Sequence, residues 1–225
     1  MPSHTKIHEA YLLKSESVMN DASFIALNNA NSLLYKSKIV NRLAEMEKLN
    51  DNFKSLDSKL RGTTENCIRI SGELLQIGLK RKDCYDGFAD DLIMFAAFEQ
   101  YMKSYLLRKG YVVHVIDRNK SLTTALANKQ NKKPIHINDL TDCTVFKMNS
   151  IDATTLLSTK YLELLNPSSN VIEGLDNLKS RRNRTHFDAK ISSISYYEPC
   201  FFETFQFIKM SIEQDVECYI NQIAH

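Results

Sequence analysis

The sequence predicts an all-α fold, and two observations support this prediction. The 225 residues include only 6 Gly and 4 Pro, too few turn residues for a sandwich, a barrel or a large sheet. Long stretches instead repeat apolar residues at spacings of three and four, the pattern of amphipathic helices. The content of 43% hydrophobic and 25% charged residues is typical of a globular protein. We therefore expect residues 1–225 to form a single helical domain.

The first predicted helix is long and spans residues 21–60. This stretch contains neither Pro nor Gly, and Gly62 follows its end. The near-heptad spacing of its apolar residues fits either a coiled coil or one arm of a helical hairpin packed on its own domain. Residues 1–20 are predicted to be a flexible or short helical N-terminus. The apolar residues that define the long helix are Ile39, Leu43, Met46, Leu49, Phe53, Leu56 and Leu60.

Two further helices are predicted at residues 64–82 and 88–109. The first ends in three cationic residues, 80–82, which complement the negative end of a helix dipole. The second lies between Gly87 and Gly110, residues that commonly flank helices. Its apolar positions recur at helical spacing: Phe88, Leu92, Phe95, Phe98, Met102 and Tyr105.

The region 111–140 breaks the helical pattern. Residues 111–116 are short, β-branched and aromatic, and residues 133–137 are extended through Pro134. Such segments are typical of short strands or loops. We therefore predict a small irregular or β insertion here, with these two segments as a candidate strand pair.

Helical spacing returns in the last third of the chain. It resumes near Ser150 and continues to Pro167, which cannot extend a helix. A helix is then predicted at residues 171–182. Pro199 suits the first turn of a helix and opens a long terminal helix at residues 200–223, whose apolar residues share one face.

The charge balance and the cysteines limit the function classes. The 29 Lys and Arg residues nearly balance 27 Asp and Glu residues, giving a formal charge of +2, so no chain-wide field attracts polyanions. Five Cys residues without a CxxC motif argue against a disulfide framework and predict reduced, mostly buried thiols. The N-terminus resembles neither a signal peptide nor a membrane anchor. The sequence thus predicts a cytoplasmic protein that does not contact a membrane.

The sequence predicts neither a cofactor nor a metal site. The phosphate-binding patterns GxGxxG and GxxxxGK[ST] do not occur, which argues against a nucleotide-driven enzyme. His4 and His8 stand four residues apart, a spacing that suits a metal on a helix, but no third ligand is near in sequence. His114 and His136 belong to no motif, and we expect them to have structural or solvent-facing roles.

Chemistry is most concentrated in residues 179–187. This segment lies between two predicted helices, where the backbone can present several side chains together at a surface. Basic residues at the end of a helix also stabilise its dipole, so the segment is either a functional site or a stabilised helix terminus. The residues concerned are Lys179, Arg181, Arg182, Arg184 and His186.

Arg181, four intervening residues and His186 resemble the signature of the HEPN superfamily, in which an Arg precedes a His by four to six residues. In that family the motif lies just before the C-terminal helix, as it does here. Motifs of the family commonly place a polar residue such as Asn directly after the Arg. That feature selects Arg182 and Asn183 instead, so either arginine is a candidate.

The resemblance extends to an earlier helix and covers mainly residues 87–109 and 171–223. In the family, a helix similar to residues 88–109 packs beside the motif. That helix often carries an aromatic and acidic stripe, which four residues of this chain resemble: Phe98, Glu99, Tyr101 and Met102.

The resemblance implies a bundle of long antiparallel helices that acts as a metal-independent endoribonuclease without a cofactor. In such an enzyme the ribose 2′-hydroxyl attacks the adjacent phosphate. His186 would transfer the proton, because the pKa of an imidazole lies near neutrality. Arg181 or Arg182, with Asn183 beside it, would hold the phosphate and stabilise the developing charge.

The resemblance also implies binding residues and partners. Lys179 and Arg184 would bind the RNA backbone, and Glu99 is a candidate supporting acid. The resemblance implies a homodimer in which two motifs face each other. We expect the toxic effector of a toxin–antitoxin pair or a phage-defence module, with an antitoxin or a regulatory protein as a further partner. The alternative is a non-catalytic module that binds RNA or protein. A helical DNA-binding regulator is disfavoured, because no short helix-turn-helix carries a basic recognition face.

Overall fold

The structure, a computed structural model, describes residues 3–37, 39–40, 43, 88–118, 124–184 and 199–223. Most of these residues are helical, so the predicted all-α class is confirmed for them. The helices are α1 (His4–Leu12), α2 (Glu16–Lys36), α3 (Phe88–Arg108), α4 (Thr124–Gln130), α5 (Ala153–Leu156), α6 (Thr159–Leu162), α7 (Ser169–Arg184) and α8 (Pro199–Ile223). The strands are β1 (His114–Ile116) and β2 (Phe146–Ser150).

The N-terminal residues fold into helix α1. The Ser3 hydroxyl accepts a hydrogen bond from the backbone N–H of Lys6, which satisfies one of the free donors of the first turn. Lys14 then adopts a φ of 52° and turns the chain into α2. Ala10 and Tyr11 are buried, so α1 is packed onto the rest of the chain.

The predicted helix over residues 21–60 is wrong as a continuous element, because α2 ends at Lys36. Ser37 is extended, with φ −75° and ψ 129°, and its hydroxyl accepts the N–H of Ile39 at 3.2 Å. This local hydrogen bond replaces a helical one, and the apolar spacing alone carries no sign of it. Three residues beyond the break are buried: Ile39, Val40 and Leu43. The rest of this prediction, like the whole predicted helix at 64–82, lies outside the described residues.

Helix α3 confirms the prediction for residues 88–109 and packs most extensively against α2. Small residues allow the two helices to approach closely. Ser23 and Ser104 are both buried, and each hydroxyl donates to the backbone carbonyl of the other residue, at 2.9 and 2.8 Å. These reciprocal bonds satisfy both hydroxyls in an apolar contact.

The end of α3 depends on Gly110. This residue has a φ of +76°, its N–H donates to the Leu107 carbonyl, and the next N–H, of Tyr111, donates to the Leu106 carbonyl, a typical helix C-terminus. A Cβ at position 110 would lie 2.6 Å from Nε2 of His136. Only glycine therefore fits here without strain.

The predicted insertion contains a two-stranded antiparallel sheet, but the predicted partner of its first strand is wrong. Strand β1 pairs with β2, placing His114 opposite Ser150, while residues 133–137 supply only an isolated bridge between Tyr111 and His136. The reason is Gln130, whose side-chain amide accepts from the Ile116 N–H and donates to the His114 carbonyl, at 2.9 and 2.8 Å. Because the Gln130 side chain occupies the hydrogen-bonding groups on this edge of β1, the strand pairs through its other edge with β2.

The last third of the chain contains α5 to α8. The predicted helical stretch from Ser150 to Pro167 is interrupted. Ser150 ends β2, and this stretch contains only the two single-turn helices α5 and α6. Helices α7 and α8 confirm the predictions for 171–182 and 200–223. They approach closely at Gly174, where a Cβ would lie 2.0 Å from Oγ1 of Thr204.

Three apolar clusters form the core of the described residues. The largest joins α2, α3, α7 and α8, the second packs α1 against α3, β1 and the short helices, and a small third packs β1 against α4. Among the described cysteines, Cys200 is buried but Cys143 and Cys218 are exposed free thiols, so the expected burial is wrong for these two. None of the helices in the described ranges combines the length and the apolar character needed to cross a membrane.

Candidate functional site

The predicted site residues lie in the last turns of α7. Lys179 and Arg182 are described with their side chains. The backbone of Arg181, Asn183 and Arg184 is helical, and the side chains of these three residues lie outside the described part of the chain. His186 also lies outside it, two residues beyond the end of α7. Among the residues of the motif, the structure therefore describes only the side chain of Arg182.

Arg182 contacts helix α3 through Glu99. Its Nη1 lies 3.5 Å from Oε1 of Glu99, and its guanidinium carbon lies 5.7 Å from the centroid of the Phe95 ring. The Glu99 side chain is 15% exposed and that of Arg182 is 40% exposed. The carboxylate and the ring thus hold the guanidinium from one side while much of it remains accessible to solvent.

Helix periodicity explains why these groups meet. Phe95, Glu99 and Lys103 are spaced by four residues and share one stripe of α3. Two members of this stripe contact Arg182 of α7. The other residues of the predicted aromatic and acidic stripe belong to the core: Phe98, Tyr101 and Met102 are 1%, 4% and 0% exposed.

Lys103 completes a group that we call the charged cluster, consisting of Glu99, Lys103 and Arg182. The Lys103 side chain is partly buried. Burial lowers the pKa of its ammonium, the Glu99 carboxylate raises it, and the Arg182 guanidinium lowers it further. Sequence reasoning missed Lys103, although its four-residue spacing from Glu99 was a usable signal.

Lys179 already has a partner within its own helix. Its ammonium lies 2.5 Å from a carboxylate oxygen of Asp176, one turn earlier. The side chain of Asp176 is 61% exposed and that of Lys179 is 20% exposed. A contact between Lys179 and RNA would therefore have to compete with this ion pair.

A second polar group, the imidazole cluster, consists of His4, His8, His114 and Tyr11. His4 Nδ1 lies 2.8 Å from His114 Nε2, and the Tyr11 hydroxyl lies 3.0 Å from His114 Nδ1. The same hydroxyl accepts the N–H of Val113 at 3.3 Å. The ring of His8 packs edge-on against His114, with centroids 4.6 Å apart, and its buried Nε2 has no hydrogen-bond partner among the described residues.

The hydrogen bonds of His114 fit a neutral imidazole. One proton arrangement satisfies both nitrogens of His114: Tyr11 donates to Nδ1, and Nε2–H donates to His4. Burial, followed by the positive charges of His8, His4 and Lys103, lowers the pKa of His114 to about 3. Burial and the charge of His4 lower the pKa of His8. The charges of His4 and His8 thus disfavour protonation of His114, and the charge of His4 also disfavours protonation of His8.

The imidazole cluster supplies the third histidine that the sequence did not place near His4 and His8. Even so, no three His, Cys, Asp or Glu side chains within the described ranges adopt an arrangement suited to a metal ion. The predicted structural role of His114 agrees with its burial, at 3% exposure. His136, in contrast, is partly exposed and contacts the ring of Tyr111.

Comparison of the chain with protein-family models, with curated proteins and with solved structures finds no match in any of the three.

Proposed function

We propose that this protein is a metal-independent endoribonuclease of the HEPN type. The observation that carries the proposal is the contact between Arg182, in the motif segment of α7, and Glu99 of α3. Both residues belong to the site that the sequence resemblance implies, although 83 positions separate them. Their contact supports the reading of the basic segment as a site rather than only a stabilised helix end.

The geometry favours Arg182 as the arginine that holds the phosphate. Its guanidinium contacts Glu99 and Phe95, and the side chain as a whole is still 40% exposed. An anchored guanidinium loses little conformational freedom when it binds a phosphate bidentately. Glu99 then acts through Arg182, as a positioning residue. In this reading Asn183 follows the working arginine, and Arg181 and Arg184 contact the RNA backbone.

The proposed reaction is a transesterification. The ribose 2′-oxygen forms a bond to the adjacent phosphorus, and the bond from phosphorus to the 5′-oxygen breaks. The His186 imidazole takes the proton from the 2′-hydroxyl and returns it to the leaving 5′-oxygen, so the products carry 2′,3′-cyclic phosphate and 5′-hydroxyl ends. His186 transfers the proton, while Arg182 stabilises the negative charge on the non-bridging oxygens.

The proposal includes the assembly and the setting of the enzyme. Two copies of the chain form a homodimer and bring two motifs to one cleft. The enzyme acts in the cytoplasm as a toxin or a phage-defence effector that an antitoxin or a regulatory protein restrains. Light scattering tests the dimer, and growth arrest on expression of the wild type but not of His186→Ala tests the toxicity.

The decisive experiment is incubation of the purified protein with total RNA in EDTA. We expect cleavage that leaves cyclic phosphate ends, and His186→Ala should lower its rate by about 10² to 10⁴. Arg182→Ala should be severe and Arg181→Ala milder. The control is Arg118→Ala, which removes an exposed arginine from a turn after β1 and should leave the rate unchanged.

The alternative function is a non-catalytic module that binds RNA or protein. The ion pair of Lys179 with Asp176 favours it, because this pair occupies a cation that the proposed nuclease would use to hold RNA. RNA binding without cleavage would support this alternative. If His186→Ala and both arginine variants cleave RNA like the wild type, the proposed active site is wrong.

A further inference from the structure

We propose that a cleft between the start of α2, the end of α3 and residues 136–138 binds a small organic phosphate. Lys14, Lys109 and His136 hold its phosphate group. We call this site the α2–α3 cleft. None of the residues that line it belongs to α7 or to the charged cluster, so the proposal is independent of the nuclease function.

The α2–α3 cleft has the size and the mixed lining of a small-ligand site. Its volume is about 410 Å³, within the range that such sites occupy. Three apolar lining residues, Met19, Leu107 and Ile137, are nearly buried and can cover the carbon skeleton of a ligand. The other side chains named here are polar and come from three parts of the chain: Lys14, Glu16, Asn20, Lys109, His136 and Asn138.

The charge of the lining favours an anion. Lys14, Arg108 and Lys109 are cationic, and Glu16 is the one carboxylate among the lining residues. Arg108 is paired with Asp215, which does not line the cleft. The two lysines form no ion pair with any residue that the structure describes, so two ammonium groups remain for one carboxylate. A phosphate monoester, which carries about −1.5 to −2 charges at pH 7, matches this excess of positive charge.

His136 supplies an oriented donor. Its Nδ1 accepts the backbone N–H of Asn138 at 3.2 Å, so the proton of the neutral ring is on Nε2. This Nε2 lies beside Gly110, where a Cβ would come within 2.6 Å of it. Within the described ranges, no group accepts the Nε2–H. The glycine thus leaves uncovered an N–H group that can donate to a phosphate oxygen.

The two lysines keep their N–H donors available. Lys14 has a φ of 52°, in the left-handed region that is unfavourable for a lysine. Its exposed side chain makes no hydrogen bond in the part of the chain that is described, so folding does not explain a lysine here, whereas phosphate binding does. The Lys109 ammonium lies 5.8 Å from the centroid of the Tyr105 ring, a contact that uses none of its hydrogen-bond donors.

The test is titration calorimetry of the full chain with ribose 5-phosphate. We expect the wild type to bind this probe, to bind inorganic phosphate at least about tenfold more weakly because the apolar lining stays uncovered, and not to bind ribose. Lys14→Asn and Lys109→Ala should each weaken binding of ribose 5-phosphate about tenfold, the effect of losing one charge-assisted hydrogen bond. The matched control is Lys132→Asn, which removes an equal charge from an exposed turn outside the cleft and should leave the affinity unchanged.

Thermal unfolding of Lys14→Asn separates lost binding from lost folding. Asparagine adopts the left-handed conformation more readily than lysine does. This variant should therefore unfold at a higher temperature than the wild type and still bind ribose 5-phosphate more weakly. A lysine that only supports the fold would not show this opposition between stability and binding.

Four results would overturn the proposal. The wild type might not bind ribose 5-phosphate, or Lys14→Asn and Lys109→Ala might bind it as tightly as the wild type does. Inorganic phosphate might bind equally well, which would indicate a site for a free anion. Lastly, Arg182→Ala might abolish binding while Lys14→Asn keeps it, which would place the phosphate at the proposed active site. None of these results bears on RNA cleavage, because Arg182 and His186 do not line the cleft.

Discussion

The charged cluster and the imidazole cluster differ in how far their polar groups are exposed to water. In the charged cluster, Glu99 and Arg182 form an ion pair and are both partly exposed, so water solvates their charges. In the imidazole cluster, His114 is 3% exposed and hydrogen-bonds to the ring of His4 and the hydroxyl of Tyr11. A surface that keeps its charges accessible can bind a ligand, whereas a buried network of neutral groups holds a fold together. We therefore propose a binding role for the charged cluster, whereas the imidazole cluster docks α1 onto the rest of the chain.

The largest effect should come from placing a fixed charge in the imidazole cluster. His114→Lys buries an ammonium that has no carboxylate partner among the groups that shift the pKa of His114, and we expect it to lower the free energy of unfolding by about 3 kcal/mol or more. His4→Lys is the matched control, because His4 is exposed, and it should cost about 1 kcal/mol or less. Urea unfolding followed by circular dichroism measures both. Equal losses would mean that the burial of His114 does not set the cost of a charge in the imidazole cluster.

The next largest effect should be the dependence of stability on pH. His114 stays neutral in the folded chain down to a pKa of about 3 and titrates near 6.5 when unfolded. Because its folded pKa is the lower one, protonation favours the unfolded state. Stability is then fully present above pH 6.5 and is lost as the pH falls from 6.5 towards 3. His114 alone should remove about 2 kcal/mol between pH 7.5 and pH 5, and His8 should add to the loss in the same direction.

Urea unfolding at pH 7.5 and at pH 5 measures this dependence. The control is His114→Gln, which cannot titrate and should show a smaller difference between the two pH values. The idea of a neutral cluster is wrong if the wild type is as stable at pH 5 as at pH 7.5.

A smaller effect should follow from removing one hydroxyl of the imidazole cluster. Tyr11→Phe deletes the oxygen that bonds to His114 and accepts from Val113 at a site with 0% exposure. Leaving these buried groups unpaired should cost about 1 to 2 kcal/mol. Tyr35→Phe is the control, since its hydroxyl bonds to Glu213 at the surface and should contribute less than about 0.5 kcal/mol. Thermal unfolding that shifts equally in both variants would argue against a structural role for the buried network.

The smallest effect on stability should come from the charged cluster. Glu99→Gln removes the carboxylate of an ion pair whose arginine is 40% exposed, and such pairs contribute less than about 1 kcal/mol. The free energy of unfolding of this variant, measured by urea, should stay within that range of the wild type. A loss as large as that of His114→Lys would mean that the ion pair is structural, and would remove the assigned contrast.

Local patterns were sufficient for the long helices and for the segment that carries the candidate site. Helices α3, α7 and α8 follow from apolar spacing over four or more turns, since a helix of that length is stabilised along its whole buried face. The same spacing did not reveal the break at Ser37, because a single side-chain hydrogen bond decides it. Glu99 and Arg182 were both predicted site residues, but their contact was not predicted.

By itself, the sequence determined the helical class and the position of the basic segment before the last helix, and it motivates the proposed roles of Arg181, Arg182 and His186. Only the tertiary structure brought His4 and Tyr11 to His114, more than 100 positions away. It alone chose β2 as the partner of β1 and placed Glu99 beside Arg182. The physical reason is the separation along the chain. Helix periodicity depends on residues that are neighbours in the sequence, whereas these contacts depend on how whole elements pack.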